Sequence, residues 1–161
     1  MKKSLRHHQL ESGQSLVEFS VLSILVLIIL VGLLDLGRVY FLHIALEDGA
    51  GEAALYLSIN PGCRNASDLP DPSNPTFCAD PNNAEYRART SSGGQLAWDE
   101  ALIVVERPRE YGVGDPIEVT IEYPFRFLLP LIPAISGVNP FPLRGHATQI
   151  ILTEVTGEVQ Q

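Results

Sequence analysis

The sequence predicts an α+β protein in which a long N-terminal helix, transmembrane in its first part and amphipathic in its second, precedes a small antiparallel β-sheet domain. Three observations carry this expectation. Phe19 to Leu34 reads FSVLSILVLIILVGLL, without a charge or a proline. Apolar residues then thin to a stripe at helical spacing, and from Ile117 the period changes from helical to two.

Extended from Leu16 to Leu36, the apolar helix would be roughly 31 Å long, enough for a hydrocarbon core of about 30 Å. Lys2, Lys3 and Arg6 precede it, so the positive-inside bias places the N-terminus in the cytoplasm and everything after Asp35 on the far side. The run ends in Leu34-Asp35-Leu36-Gly37-Arg38, which is no small-residue signal-peptidase site. Asp35 and Arg38 share a helical face. They either pair at the outer membrane boundary or simply mark where the helix meets water, and the second reading is the simpler one.

Beyond Asp35 the stripe consists of Val39, Leu42, Leu46, Ala50, Ala53 and Leu57, with Glu47, Asp48 and Glu52 on the outer face. This pattern fits the domain's own core better than a partner site. Gly49, Ala50, Gly51, Ala53 and Ala54 weaken the helix but permit close approach of a neighbour. Asn60-Pro61-Gly62 must end it. A loop follows to about Pro81, then a short polar helix around Ala84 to Arg89, then Ser91-Ser92-Gly93-Gly94.

Ile117, Val119, Ile121 and Tyr123 alternate with Glu118, Thr120 and Glu122, the pattern of a strand with one buried face and one wet face. Leu102 to Arg107 supplies a partner strand and Gly145 to Thr153 a third. The segment from Phe125 to Ile135 is apolar, but too short and proline-broken to cross a membrane. It could plug the domain, lie on the bilayer surface or dock a neighbouring subunit. The expected organisation is therefore a basic leader at 1–13, a long helix at 14–60, a loop at 61–81 and a β-rich extracytoplasmic domain at 82–161.

Cys63 and Cys78 both fall on the far side of the membrane, in a segment rich in proline and asparagine. They are too far apart for a CxxC redox pair and have no histidine neighbours for a metal site. A structural disulfide fits that compartment, and free thiols are the alternative. The net charge of −8 is scattered rather than clustered and reads as a solvated surface. No basic patch interleaved with aromatics lies beyond the N-terminal tail, so nucleic-acid binding is not expected. His43 and His146 stand apart from any metal-ligand spacing, and His7 and His8 lie in the basic tail. There is no GxSxG, HExxH, P-loop or dinucleotide fingerprint, so the chain is not expected to be an enzyme or to hold a metal or cofactor.

Glu18 lies one residue before the apolar run, where an ionised carboxylate is costly without a partner unless it snorkels to the headgroups. Its surroundings, Gly13-Gln14-Ser15-Leu16-Val17-Glu18-Phe19, resemble the prepilin peptidase motif residue for residue. The resemblance implies cleavage after Gly13, a mature N-terminus at Gln14, and Glu18 and Phe19 at the start of the pilin assembly helix. GQSLVEF, the aliphatic run and LLDLGRVY together look like the N-terminal signature of TadE-like proteins of tight-adherence (Flp) pilus systems, over about Gly13 to Leu57. Ile24 departs from the pattern, because it sits about where these proteins often carry a proline.

The resemblance implies a minor pilin or pseudopilin of the bacterial cytoplasmic membrane. Its partners would be other pilins, the pilus assembly platform and a prepilin peptidase, in a homo-oligomer or filament. The exposed domain is far larger than that of the short major Flp pilins, which argues against the simplest shaft role. The alternative is an uncleaved single-pass adhesin or envelope scaffold, and cleavage discriminates between the two.

Overall fold

A computed structural model describes residues 7–68, 74, 76–91, 96–106 and 112–153. The cationic residues Lys2, Lys3 and Arg6 of the expected leader, and Arg107 at the expected end of the first strand, lie outside them. The elements run α1 (His7–Ile59), α2 (Ala84–Ser91), β1 (Leu102–Glu106), β2 (Pro116–Phe125), α3 (Leu131–Ser136) and β3 (Phe141–Ile150). The chain divides into two compact units. One comprises the described residues of Met1–Arg38 with Phe127–Val138, the other those of Val39–Arg126 with Asn139–Gln161.

In the first unit, the apolar part of α1 satisfies its backbone polar groups internally, as a chain in lipid must. Ser20 and Ser23 fit this pattern, because their hydroxyls donate to the carbonyls of Leu16 and Phe19 at 2.8 Å each. The large side chains of the run, Phe19 and Leu25 among them, stay exposed among the described residues. α3 begins after Pro130 and ends at Gly137, whose φ of 70° is the left-handed C-cap conformation that glycine adopts without a Cβ penalty.

The second unit is a three-stranded antiparallel sheet in the order β1-β2-β3, with helix against it. The alternation along β2 buries Ile117, Val119 and Ile121. From α1, Leu46, Ala50, Ala53 and Leu57 are fully buried, so this later part of the stripe is the domain's own core, while Val39 and Leu42 are only half-buried. Close contact between helix and sheet depends on residues without side chains. Gly145 pairs with Ile121 across the ladder, and a Cβ on it would lie 2.3 Å from the backbone carbon of Leu46. A Cβ on Gly49 would meet Ile121 and Trp98.

Several boundaries differ from expectation, and α1 already begins at His7 rather than at 14. α2 runs two residues further, to Ser91. β3 occupies Phe141–Ile150 rather than 145–153, because β2 extends to Phe125 and pairs Phe125 with Phe141 and Pro124 with Pro142. Pro142 lacks an N–H, and β3 is an edge strand, where a missing donor is tolerated. At the other end Ile151 turns away, its amide donating to the Asp115 carbonyl at 2.9 Å, and Leu152 donates to Ser58 at 2.7 Å.

The loop after α1 is closed by a disulfide between Cys63 and Cys78, both buried. Arg64 and Asp68 pair within it at 2.8 Å. Asn83 links it to α2. The side-chain amide of Asn83 donates to the Cys78 carbonyl at 3.1 Å and to Asp80 at 2.6 Å, while its oxygen accepts from the Tyr86 amide at 2.8 Å, as an N-cap does.

Candidate functional site

The motif residues at the start of the apolar run, Gly13, Gln14, Glu18 and Phe19, all lie on α1 and are exposed. A helix brings residues four apart onto one face, and here the Gln14 amide donates to Glu18 Oε1 at 3.1 Å. The only partner this contact offers Glu18 is uncharged, yet it comes from the residue whose α-amine a cut after Gly13 would free. Among the described residues, nothing outside the helix's own neighbouring backbone lies within 4 Å of where a Cβ on Gly13 would stand. A glycine inside a helix costs roughly 1 kcal/mol relative to alanine, which favours local unwinding at the Gly13–Gln14 bond.

The far end of the run is more highly built. Asp35 is only 1% exposed, and its carboxylate gathers three partners. The Leu128 amide donates to its two oxygens at 3.0 and 3.1 Å, and the Leu129 amide to Oδ2 at 3.1 Å. The Arg38 guanidinium donates to Oδ1 at 3.1 Å. A buried carboxylate is tolerated when it is both paired and hydrogen-bonded, and bonds to an ionised acceptor are stronger than neutral ones. Asp35 and Arg38 thus do more than mark where the helix meets water. Asp35 ties the 127–138 segment to the exit of the apolar run, while Phe125, where the apolar stretch begins, is buried.

The remaining candidates settle into local roles. His43 lies 3.4 Å from Glu47 and His146 2.7 Å from Glu118, each an exposed pair. Among the described residues no group of histidine, cysteine and carboxylate side chains could hold a metal ion. Burial raises the Tyr56 pKa, against the opposing charge of Arg87, whose guanidinium carbon stands 5.5 Å from the ring centroid. Burial also pushes the Asp68 carboxyl up, but the side chain of Arg64 and the amides of Arg64 and Asn65 together outweigh it and hold the group below the usual range.

Sequence reasoning missed Asn83 and, at Asp35, every partner but Arg38. Asn83 had a readable signal, an asparagine directly before a helical segment. The role of Asp35 toward Leu128 had none, since its donors are backbone groups distant in the sequence.

Residues 13–55 match the family model of TadE-like proteins. The match covers the motif, the apolar run and the stripe up to Ala53, and none of the sheet. No curated protein and no solved structure gives a match.

Proposed function

We propose that this chain is a membrane-inserted, pilin-like subunit, a minor pilin or pseudopilin serving the biogenesis of a tight-adherence pilus. The observation that carries the reading is the match of residues 13–55 to TadE-like proteins, over the same stretch that holds the Gly13-to-Phe19 motif and the apolar helix. Among the described residues one helix is long and apolar enough to cross a membrane, and none of its most apolar window is buried.

In this reading the basic leader stays in the cytoplasm, 16–36 spans the cytoplasmic membrane, and the disulfide loop and sheet lie outside. A prepilin peptidase, the enzyme in that encounter, cuts after Gly13. The cut removes the cationic leader that orients insertion and creates an amine on Gln14 about one helical turn from Glu18. A carboxylate at the edge of a bilayer needs a counter-charge. The new amine, from the same or a neighbouring subunit, supplies one, which favours a defined axial stagger and withdrawal from lipid into an assembly.

Surface pili and co-purifying pilins, measured in Glu18→Ala and Glu18→Asp strains, test this role. The alanine variant is expected to insert yet fail to enter the assembly, and the aspartate variant to retain part of the function. Normal piliation with Glu18→Ala would defeat it, leaving a glutamate that only snorkels.

A further inference from the structure

We infer that the 127–138 segment is a second membrane contact, lying in the outer headgroup and acyl boundary beside the exit of α1 and held at that depth by Asp35. This rests on the reading that 16–36 spans the bilayer, and adds to it a lipid-binding surface drawn from the far end of the chain.

Depth is fixed first. The uncharged run stops at Leu34 and the span ends at Leu36, so Asp35 lies within one residue of the outer boundary of the hydrocarbon. The hydrogen bonds from Leu128 and Leu129 to Asp35 then set the backbone of the later segment at the same level. A loop tied to that level meets lipid headgroups and upper acyl chains rather than bulk water.

Composition fits the location. From Phe127 to Leu143 the chain carries no charged side chain, and Arg126 and Arg144 bracket the stretch. Ile135 is 78% exposed and Leu128 59%, alongside Leu34 at 62% and Leu36 at 65% on α1. Large aliphatic side chains this exposed, in a segment with no charge, gain by entering the bilayer boundary, as interfacial segments do over a depth of about 5–10 Å.

The backbone is prepared for a dry setting as well. Pro130 and Pro133 have no N–H. The amides of Leu128 and Leu129 bond Asp35, those of Ile132, Ala134 and Gly137 bond the carbonyls of Leu129, Pro130 and Pro133, and that of Val138 bonds the Ser136 hydroxyl. An irregular segment is tolerated near lipid only when such donors are satisfied within the protein. Asp35 therefore does two things. It satisfies two amides that lipid could not, and its own charge is covered by doing so.

The test places a single added tryptophan in the full chain, reconstituted at low density in phosphatidylcholine vesicles, with the parent's Trp98 emission subtracted. Lipids brominated near the carbonyl or near the methyl end report depth, and acrylamide reports water. Ile135→Trp is expected to be quenched about twofold more by the shallow bromines than by the deep ones, and to be shielded from acrylamide, as an interfacial residue would be. Leu25→Trp, in the middle of the run, should respond chiefly to the deep bromines. If Leu25→Trp responds and Ile135→Trp is quenched by acrylamide alone, the segment is in water and the inference falls while the spanning reading stands. If Ile135→Trp is shielded from all three quenchers, protein covers it, and a subunit contact replaces the lipid contact. If neither variant senses bromine, the spanning reading fails and takes this inference with it.

Discussion

The carboxylate of Asp35 accepts the backbone N–H of Leu128 at 3.0 Å across a sequence separation of 93 residues, and it does so at the point where the apolar helix loses its lipid-like character. A buried acceptor holding two amides is worth most when its loss leaves them unsatisfied. Asp35→Ala should destabilise the 127–138 segment by on the order of 2–4 kcal/mol, and Asp35→Asn, which keeps one oxygen but no charge, by roughly half as much. Hydrogen exchange of the Leu128 and Leu129 amides in nanodiscs checks this. Unchanged protection in Asp35→Ala would mean that the carboxylate does not hold the segment.

Gly145 lets the sheet approach the helix. A methyl group there would press on the backbone of Leu46 and Glu47 at 2.3 to 2.6 Å, and backbone cannot swing aside as a side-chain tip can. Gly145→Ala is expected to cost about 3 kcal/mol or more, at the upper end of overpacking effects. Denaturant unfolding of the full chain in detergent, followed by Trp98 fluorescence, should show the midpoint fall. Gly51→Ala, where a Cβ meets nothing within 4 Å, should not lower it.

The Cys63–Cys78 bridge closes a loop with few apolar side chains of its own. On the chain-entropy model it contributes about 3 kcal/mol, so the Cys63→Ser and Cys78→Ser double variant should lose that amount. The loss should be concentrated in the loop and the start of α2, where Asn83 bonds the Cys78 carbonyl, and leave the β2–β3 ladder protected. Rapid alkylation of both thiols in the native, unreduced protein by a membrane-impermeant reagent would contradict the bridge.

Asp68 predicts a pH response of the same loop. Its carboxyl is held below the ordinary range in the folded protein, so the stability it adds is fully present above the unfolded-state pKa and is lost as the pH falls through the folded value. The amide resonances of Arg64 and Asn65, which donate to Asp68 at 2.7 and 3.2 Å, should therefore titrate together on acidification below that ordinary range. Asp68→Asn should abolish the transition. Amides that titrate equally in Asp68→Asn would assign it to another group.

Much of the fold was legible because periodicity reports burial directly. The alternation from Ile117 to Tyr123 became β2, and the spacing of Leu46, Ala50, Ala53 and Leu57 became the buried face of α1. The start of β3 was not legible. Phe141, Pro142 and Leu143 have the composition of a loop, and only pairing with Phe125, Pro124 and Tyr123 makes them strand. At the candidate site, the Gly13-to-Phe19 motif could be read from side chains alone. The Asp35 site could not, because a carboxylate that binds main-chain amides leaves no matching side chain to find.

Whether this chain is a substrate of prepilin processing is decided by its intact mass together with N-terminal sequencing. The protein should be isolated from cells with and without their prepilin peptidase. A mature chain beginning at Gln14 is expected in competent cells, and an unprocessed chain retaining Gly13 and the residues before it in the deficient strain. Recovery of a chain still beginning at Met1 from peptidase-competent cells would contradict it.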